Sequence, residues 1–427
     1  MSGTKLLIDG MHRTTASAMP SAIGQRALAR HVDCFAWAMN VVFLSPAFPP
    51  TARQFSSALA KEGVTVLGIG DRALSPEQQQ SYGLTDYVFE PRMSEYQPLR
   101  DVTEALRQRH GQIDRIDSNG EHWLPAEAHL RDDLGVPGLS SAALSRQSSK
   151  LSMAVLFAQA QIAYPPTVAS ADSTGVRAFA AKYGYPLVCK PEIGSGAVDT
   201  YTIDNAGELE SVLEQHPQTR VVQPFIAGQI ITFDGLADRD GRLVFWTSHV
   251  YDDGIMQVRR GKKDGYYYSL RELPQGLEEV GRRAVEAFGV RERFFHVEFF
   301  RQADGSFVAL EMNLRPPGGF TTDMMNAACE VDVYALWAAT IAGRDLSDFR
   351  FDRKYHTAHA GRRVDRRYRH DSAELKRRLG ATLVVERPVP AAFAATMGDM
   401  MYLLRDQHLE DLMRAIALVQ EPVPTDT

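Results

Sequence analysis

The chain reads as an α/β protein whose second half shifts toward α+β, and three stretches carry that reading. Between Val41 and Ile69 a strand (Val41–Leu44), a helix (Ala52–Glu62) closed by Gly63 and a second strand (Val64–Ile69) follow one another. This is the βαβ rhythm of a small parallel sheet. From Ile230 to His249 apolar and polar residues alternate, with Asp238-Arg-Asp-Gly241 as a turn, which predicts antiparallel strands. The third stretch is a hairpin. His296-Val-Glu-Phe-Phe-Arg301 and Phe307-Val-Ala-Leu-Glu-Met-Asn313 both alternate, and Asp304-Gly305 lies between them as the signature of a two-residue turn.

The other elements fall between these. Residues 1–38 show no sustained periodicity and read as an extension before a natural start at Met39, or as a helix packed on the first lobe. Short alternations run on to Leu139. Within them Asp117-Ser-Asn-Gly-Glu121 reads as a strand-end turn, where α/β sheets place ligands, or as a capped helix start. A helix is expected from Ser148 to Gln161, stopped by Tyr164-Pro165-Pro166. Strands at Leu187–Lys190 and Thr200–Ile203 flank the loop Pro191-Glu-Ile-Gly-Ser-Gly196, and a helix (Ala206–Gln215) and a strand (Val221–Ile226) follow. An apolar helix spans Val331–Ile341, and the last helix lies near Gln407–Val419. At 427 residues the chain exceeds one core. The expected division is an extension (1–38), an N-terminal α/β domain (39–147), a central catalytic domain (148–345) and a C-terminal lobe (346–427).

Composition narrows the function classes. Apolar residues make up 44% and charged residues 23%, as in ordinary globular proteins, and the net charge is −6. A mildly acidic chain is a poor binder of nucleic acid or of membranes. No run approaches the roughly 18 apolar residues of a membrane span. Cys34, Cys189 and Cys329 have no zinc spacing and suit a reducing cytoplasm. Residues 351–380 hold ten Lys or Arg against four acids. We read that excess as a solvated face with local ion pairs, with Arg362 or Arg363 reaching an active site as the rival reading. His356 and His359 have helix-like spacing and are expected to be structural.

Chemistry concentrates in the hairpin. A two-residue loop pairs Ala303 with Ser306 and carries Glu298 opposite Glu311, Cβ atoms about 5 Å apart. Asn313 shares the face of Glu311, because side chains alternate along a strand. Like charges set opposite each other weaken a sheet unless something neutralises them, and a hard divalent cation with oxygen ligands would do so. Arg315 then enters the turn Pro316-Pro-Gly-Gly319. Upstream, Lys190 closes an apolar strand and leads into Gly194-Ser195-Gly196, whose backbone can approach an anion closely. Gln223-Pro-Phe-Ile-Ala-Gly228 ends another strand, where Phe225 and Ile226 could offer backbone groups and an apolar wall to a planar base.

In this order, with Glu298 and Glu311 separated by twelve residues and the second opening Glu-Met-Asn-Leu-Arg-Pro-Pro-Gly-Gly, the chain resembles the ATP-grasp superfamily. Within it, the likeness is to carboxylate–amine ligases acting on amino acids or dipeptides, over about residues 40–345. The resemblance implies ATP and magnesium, with manganese able to substitute, and gives residues roles. Lys150 and Lys190 would contact phosphates, and Gly194, Ser195 and Gly196 would form the lid. Gln223, Phe225 and Ile226 would form the adenine hinge. Glu298, Glu311 and Asn313 would hold the metal, and Arg315 would face an acyl phosphate. Pro224 and Ile230 depart from the acids that the family places at the hinge and ribose. His249, Tyr251 and Gly318 are the candidates for substrate contact beside Arg315. The implied partners are a small carboxylate and an amine, and a homodimer is compatible. A biotin-carboxylase-like enzyme and a nucleotide sensor without turnover are the rival readings.

Overall fold

The computed structural model describes residues 39–194, 199–216, 219–251 and 264–424. The extension 1–38, Ser195, Gly196 and most of the segment between His249 and Tyr266 lie outside these. Three sheets organise the described residues. The first is parallel and comprises β1 (Asn40–Leu44), β2 (Thr65–Gly70), β3 (Asp86–Phe89) and β4 (Arg115–Asp117) in the order β3-β2-β1-β4. Helix Ala52–Lys61 covers one face, burying Phe55, Ala58 and Leu59. Val41 and Phe43 of β1 share that core with Trp337, Phe294 and Phe245 from the rest of the chain.

The second sheet is small and antiparallel: β5 (Val168–Ala169), β6 (Leu187–Pro191), β7 (Tyr201–Ile203) and β8 (Arg220–Pro224), in the order β5-β8-β6-β7. Helices Ser173–Tyr183 and Ala206–Gln215 accompany it. The third sheet contains β9 (Gln229–Ala237), β10 (Leu243–Thr247), β11 (His249–Tyr251), β12 (Tyr266–Ser269), β13 (Arg293–Arg301), β14 (Phe307–Asn313), β15 (His356–Arg362), β16 (Leu383–Pro388) and β17 (Met400–Asp406). Its order is β14-β13-β9-β11-β12-β15-β17-β16, with β10 paired to β9. The residues after 345 therefore continue the same sheet as the central segment.

Several local expectations need correction. The helix expected over Ser148–Gln161 is present as Lys150–Gln159, and a separate helix, Ser141–Ser148, precedes it. Ser149 turns extended there and its hydroxyl caps the second helix by accepting from the Ser152 amide. The strand drawn to Ile226 ends at Pro224, leaving Phe225 and Ile226 in the connection. His356 and His359 sit on strand β15, not on a helix, and both are buried. Arg362 is engaged within the C-terminal segment. Its guanidinium donates to the carbonyls of Val419 (2.5 Å) and His370 (2.8 Å), and it packs on the rings of Tyr368 and Tyr402. Nearby cations are paired locally, as in Arg366–Asp264, Arg369–Glu421 and Lys376–Glu386.

The hairpin holds the most instructive difference. The loop has three residues, not two: the Gln302 amide bonds the Ser306 carbonyl at 2.8 Å, and Gly305 adopts φ +85°. This shifts the register by one, so Phe299 faces Ala309. A bulge at Leu310 then shifts it back, and Glu298 faces Glu311 after all.

A buried ionic cluster joins the first sheet to the third. Arg115 bonds Asp117 (2.5 Å) and Glu292 (2.9 Å), while Arg131 bonds Asp117 (3.2 Å) and Glu127 (2.8 Å). Arg293, whose pKa burial lowers to about 10, lies 3.8 Å from Asp117 and donates to the Leu314 carbonyl at 2.9 Å. The cluster thereby anchors the backbone immediately before Arg315.

Helix Leu277–Ala287 packs on β9 and β13 through Leu277, Val280, Gly281, Ala284 and Val285. A Cβ at Gly281 would lie 2.3 Å from the ring of fully buried Phe233. Overpacking costs about 1–3 kcal/mol, more than the roughly 1 kcal/mol alanine gains over glycine within a helix. Gly281→Ala should lower the urea midpoint without changing the slope. An unchanged or higher midpoint would mean that Phe233 can move aside.

Candidate functional site

One face of the third sheet collects the polar residues. Register places Glu298 beside Thr232 and His296 beside Asp234, while Val250 pairs with Ile231, so His249 and Tyr251 share that face. Tyr251 pairs with Tyr267, and Tyr267 with His359. The row therefore runs Glu311 and Asn313, Glu298 and His296, Thr232 and Asp234, His249 and Tyr251, Tyr267, His359 across β14, β13, β9, β11, β12 and β15.

At one end stand the two glutamates. Burial and the neighbouring Glu298 push the Glu311 carboxyl up, and Lys150 and Lys190 oppose this. Lys150 begins helix Lys150–Gln159 and is nearly fully buried; its Nζ lies 3.9 Å from Glu311 Oε2 and donates to the Gly194 carbonyl at 2.8 Å. Lys190, on β6, is buried as well, and burial followed by the charge of Lys150 lowers its pKa to about 8. The Asn313 amide donates to Glu311 Oε1 at 3.2 Å. Lys150, Lys190, Gly194, Glu298, Glu311 and Asn313 therefore converge, as expected from sequence. Ser195 and Gly196 lie outside the described residues. Gly194 has φ +136°, a conformation suited to glycine. The turn behind it is tied down, because the Ser149 hydroxyl bonds the Glu192 carboxylate and the Lys150 amide bonds the Glu192 carbonyl.

Arg315 donates from Nε to Glu121 Oε2 at 2.7 Å and from Nη1 to the Pro316 carbonyl at 2.9 Å. Glu121 and Glu311 line one cleft together with Leu124, Leu144 and Gly194. Gly318 is exposed with open space around it, and Gly319 (φ +66°) lays the turn against Met397 and the Tyr267 hydroxyl. Tyr251 stacks on Tyr267 with ring centroids 5.1 Å apart, and Tyr267 on His359 at 5.2 Å. Burial holds the His359 pKa down near 4, leaving a neutral wall.

Other expected residues are placed differently from the sequence reading. Gln223 is buried, and its amide donates to Thr167 Oγ1 at 2.8 Å. The Phe225 amide bonds the Pro186 carbonyl at 3.0 Å, so Phe225 offers its half-exposed ring rather than its N–H, and Ile226 is partly buried. His249, expected to touch substrate, has no exposed surface with which to do so. It is fully buried, with Nδ1 2.7 Å from Asp234 Oδ2.

The sequence reading did not single out Glu121 as a site residue, and it missed Asp234 and the role of His296. Asp234 is fully buried and meets both His249 and His296. Burial works against the charge of His296, yet Asp234 and Glu298 prevail and raise its pKa to about 10. An acid inside the apolar strand Ile230–Ala237 was the available signal, since a buried charge requires a partner.

The donor set suits a hard divalent cation. Two carboxylates forced together and destabilised by burial are neutralised by one dication, and the amide oxygen of Asn313 is a further hard donor. Among the described residues no group of three His, Cys, Asp or Glu side chains forms a metal cluster. Such an ion would therefore draw its remaining ligands from phosphate and water, the habit of magnesium. Two lysines beside it suit a polyphosphate.

Among the described residues, no helix is long and apolar enough to cross a membrane. No family model matches the chain. The L-arginine-specific L-amino acid ligase of Bacillus subtilis is 22% identical over 242 residues, a stretch covering 54% of this chain and 57% of that protein. The chain thus spans little more than half the length of that relative. Over whole structures, the L-amino acid ligase of Bacillus licheniformis superposes with a TM-score of 0.68 at 14% identity, covering 91% of this chain and 99% of that one. The biotin carboxylase domain of Hydrogenobacter thermophilus 2-oxoglutarate carboxylase, solved with MgADP and bicarbonate, gives 0.65 at 15% identity, covering 90% of each. An N5-carboxyaminoimidazole synthetase of Staphylococcus aureus complexed with ADP gives 0.63 at 12%, covering 89% and 96%. The chain has the ATP-grasp fold and, within it, resembles the carboxylate–amine ligases.

Proposed function

We propose that this protein is an ATP-dependent ligase that joins a carboxylate, of an amino acid, to an amine and releases ADP and phosphate. The observation carrying this reading is the convergence of Glu298, Glu311 and Asn313 with Lys150 and Lys190, beside a cleft that Glu311 and Asn313 line. Glu298, Glu311 and Asn313 would hold magnesium, which would offset negative charge on the phosphates. Lys150 and Lys190 align the phosphates, and Gly194 borders them. Gln223, Phe225 and Ile226 bound the base, with the Phe225 ring as its apolar wall.

Phosphoryl transfer requires alignment and charge neutralisation rather than covalent help from the protein. A carboxylate oxygen of the first substrate attacks the γ-phosphorus, and the bond to the β-γ bridging oxygen breaks to give ADP. The amine nitrogen then attacks the acyl carbon, loses its proton, and expels phosphate. Arg315, steered by Glu121, faces the acyl phosphate. Gly318 and Tyr251 border the substrates, and His249 acts from behind them. Two free buried thiols, Cys189 and Cys329, fit the cytoplasmic setting we assign.

A screen of amino acids in pairs for ADP and phosphate release tests the reading. AMP and pyrophosphate as products would overturn the acyl-phosphate route. ADP release that depends on bicarbonate and not on an amine would move the chain to the carboxylases. Glu311→Ala should abolish turnover and leave the thermal midpoint within a few degrees of wild type, and retained turnover would remove the metal assignment. Lys190→Ala should weaken ATP binding by at least about tenfold, as expected for a lost charge-assisted contact of about 1.5–3 kcal/mol. Unchanged nucleotide affinity measured by titration would refute its phosphate role.

A further inference from the structure

The glutamate pair is supported by a chain of side chains reaching back across two strands. Glu298 Oε1 lies 2.9 Å from His296 Nε2, and the other nitrogen of that ring, Nδ1, lies 2.5 Å from Asp234 Oδ1. The second oxygen of Asp234 is 2.7 Å from His249 Nδ1 and also accepts from the Thr232 hydroxyl. Thr232 Oγ1 in turn accepts the backbone amide of His249 at 3.1 Å. Asp234, His249 and Thr232 are fully buried, and His296 is 4% exposed. Each therefore has one available orientation, set by the strand register that puts His296 beside Asp234 and Glu298 beside Thr232.

We infer that His296 is a positioning residue for cation binding: it orients the Glu298 carboxylate through Nε2, while its Nδ1 side rests on Asp234, which His249 and Thr232 clamp. The inference rests on the proposed metal role of Glu298. A glutamate has three rotatable bonds, and one opposite another glutamate would turn away to lower repulsion. The contact with His296 engages Oε1 and leaves Oε2 for a cation. Loss of such a supporting partner costs about 10–100-fold in metal affinity.

Two substitutions at one position separate positioning from mere core structure. Asparagine places its amide near Nδ1, so His296→Asn keeps a partner for buried Asp234 and loses the contact to Glu298. Glutamine places its amide near Nε2, so His296→Gln keeps Glu298 and loses Asp234. Manganese binding to the protein–ADP complex, with free ion counted by electron paramagnetic resonance, is the readout, and urea midpoints verify that each variant folds. His296→Asn is expected to weaken manganese binding by about 10–100-fold, and His296→Gln to retain most of it. A structural role predicts the reverse order, with His296→Asn the milder change, and that result, or wild-type affinity in His296→Asn, overturns the inference. Glu298→Gln serves as the reference. If it leaves manganese affinity unaltered, the metal reading itself fails. If it abolishes binding while His296→Asn does not, only the positioning role fails.

Discussion

Everything about this site depends on two carboxylates that the sheet does not allow to separate. Glu298 and Glu311 are held opposite each other by the β13–β14 register, and β13 is pinned in turn along its whole length by β9. Strand pairing over nine residues outweighs one unfavourable pair, so the repulsion persists, and burial first and Glu298 second push the Glu311 carboxyl up. The backbone thus supplies the energy that keeps two like charges ready for a third group, and the lysines of the helix and of β6 are drawn to the same point.

Much of this was legible before any coordinates. Alternation identified the strands, and the two glutamates faced each other as expected. They did so through a longer loop and a bulge whose register shifts cancel. Asp304-Gly305 is a strong turn signal, yet one more residue entered the loop, and nothing local in Ala309-Leu310-Glu311 marks a bulge. Sequence and structure agree on the facing pair itself rather than on the path by which the chain reaches it.

The parts that were not legible share a physical cause: they depend on contacts between segments distant in sequence. The helix starts at Lys150 rather than Ser148, where Ser149 caps it and also gives its hydroxyl to Glu192, far along the chain. Phe225 loses its amide to Pro186. His249 reads from sequence as a substrate contact, but Asp234 and the sheet face hold it inside. The basic stretch after residue 351 looked like a surface feature. In part it is one, but Arg362 is spent on the carbonyls that close the C-terminal helix against β15.

Charge arithmetic joins the proposed chemistry to the geometry. Two lysines and two glutamates sum to zero in a buried space. A triphosphate carries about four negative charges, more than Lys150, Lys190 and Arg315 can balance while Arg315 is paired with Glu121. If the lysines turn to phosphate, the glutamates lose their counter-ions at the moment when more negative charge arrives. A divalent cation held by the glutamates would resolve both deficits at once, because it would take over the counter-charge that the lysines give the glutamates and add positive charge for the phosphates. On the proposed reading nucleotide and metal would bind cooperatively, each weak without the other, and the buried support beneath Glu298 would keep one ligand ready for the cation.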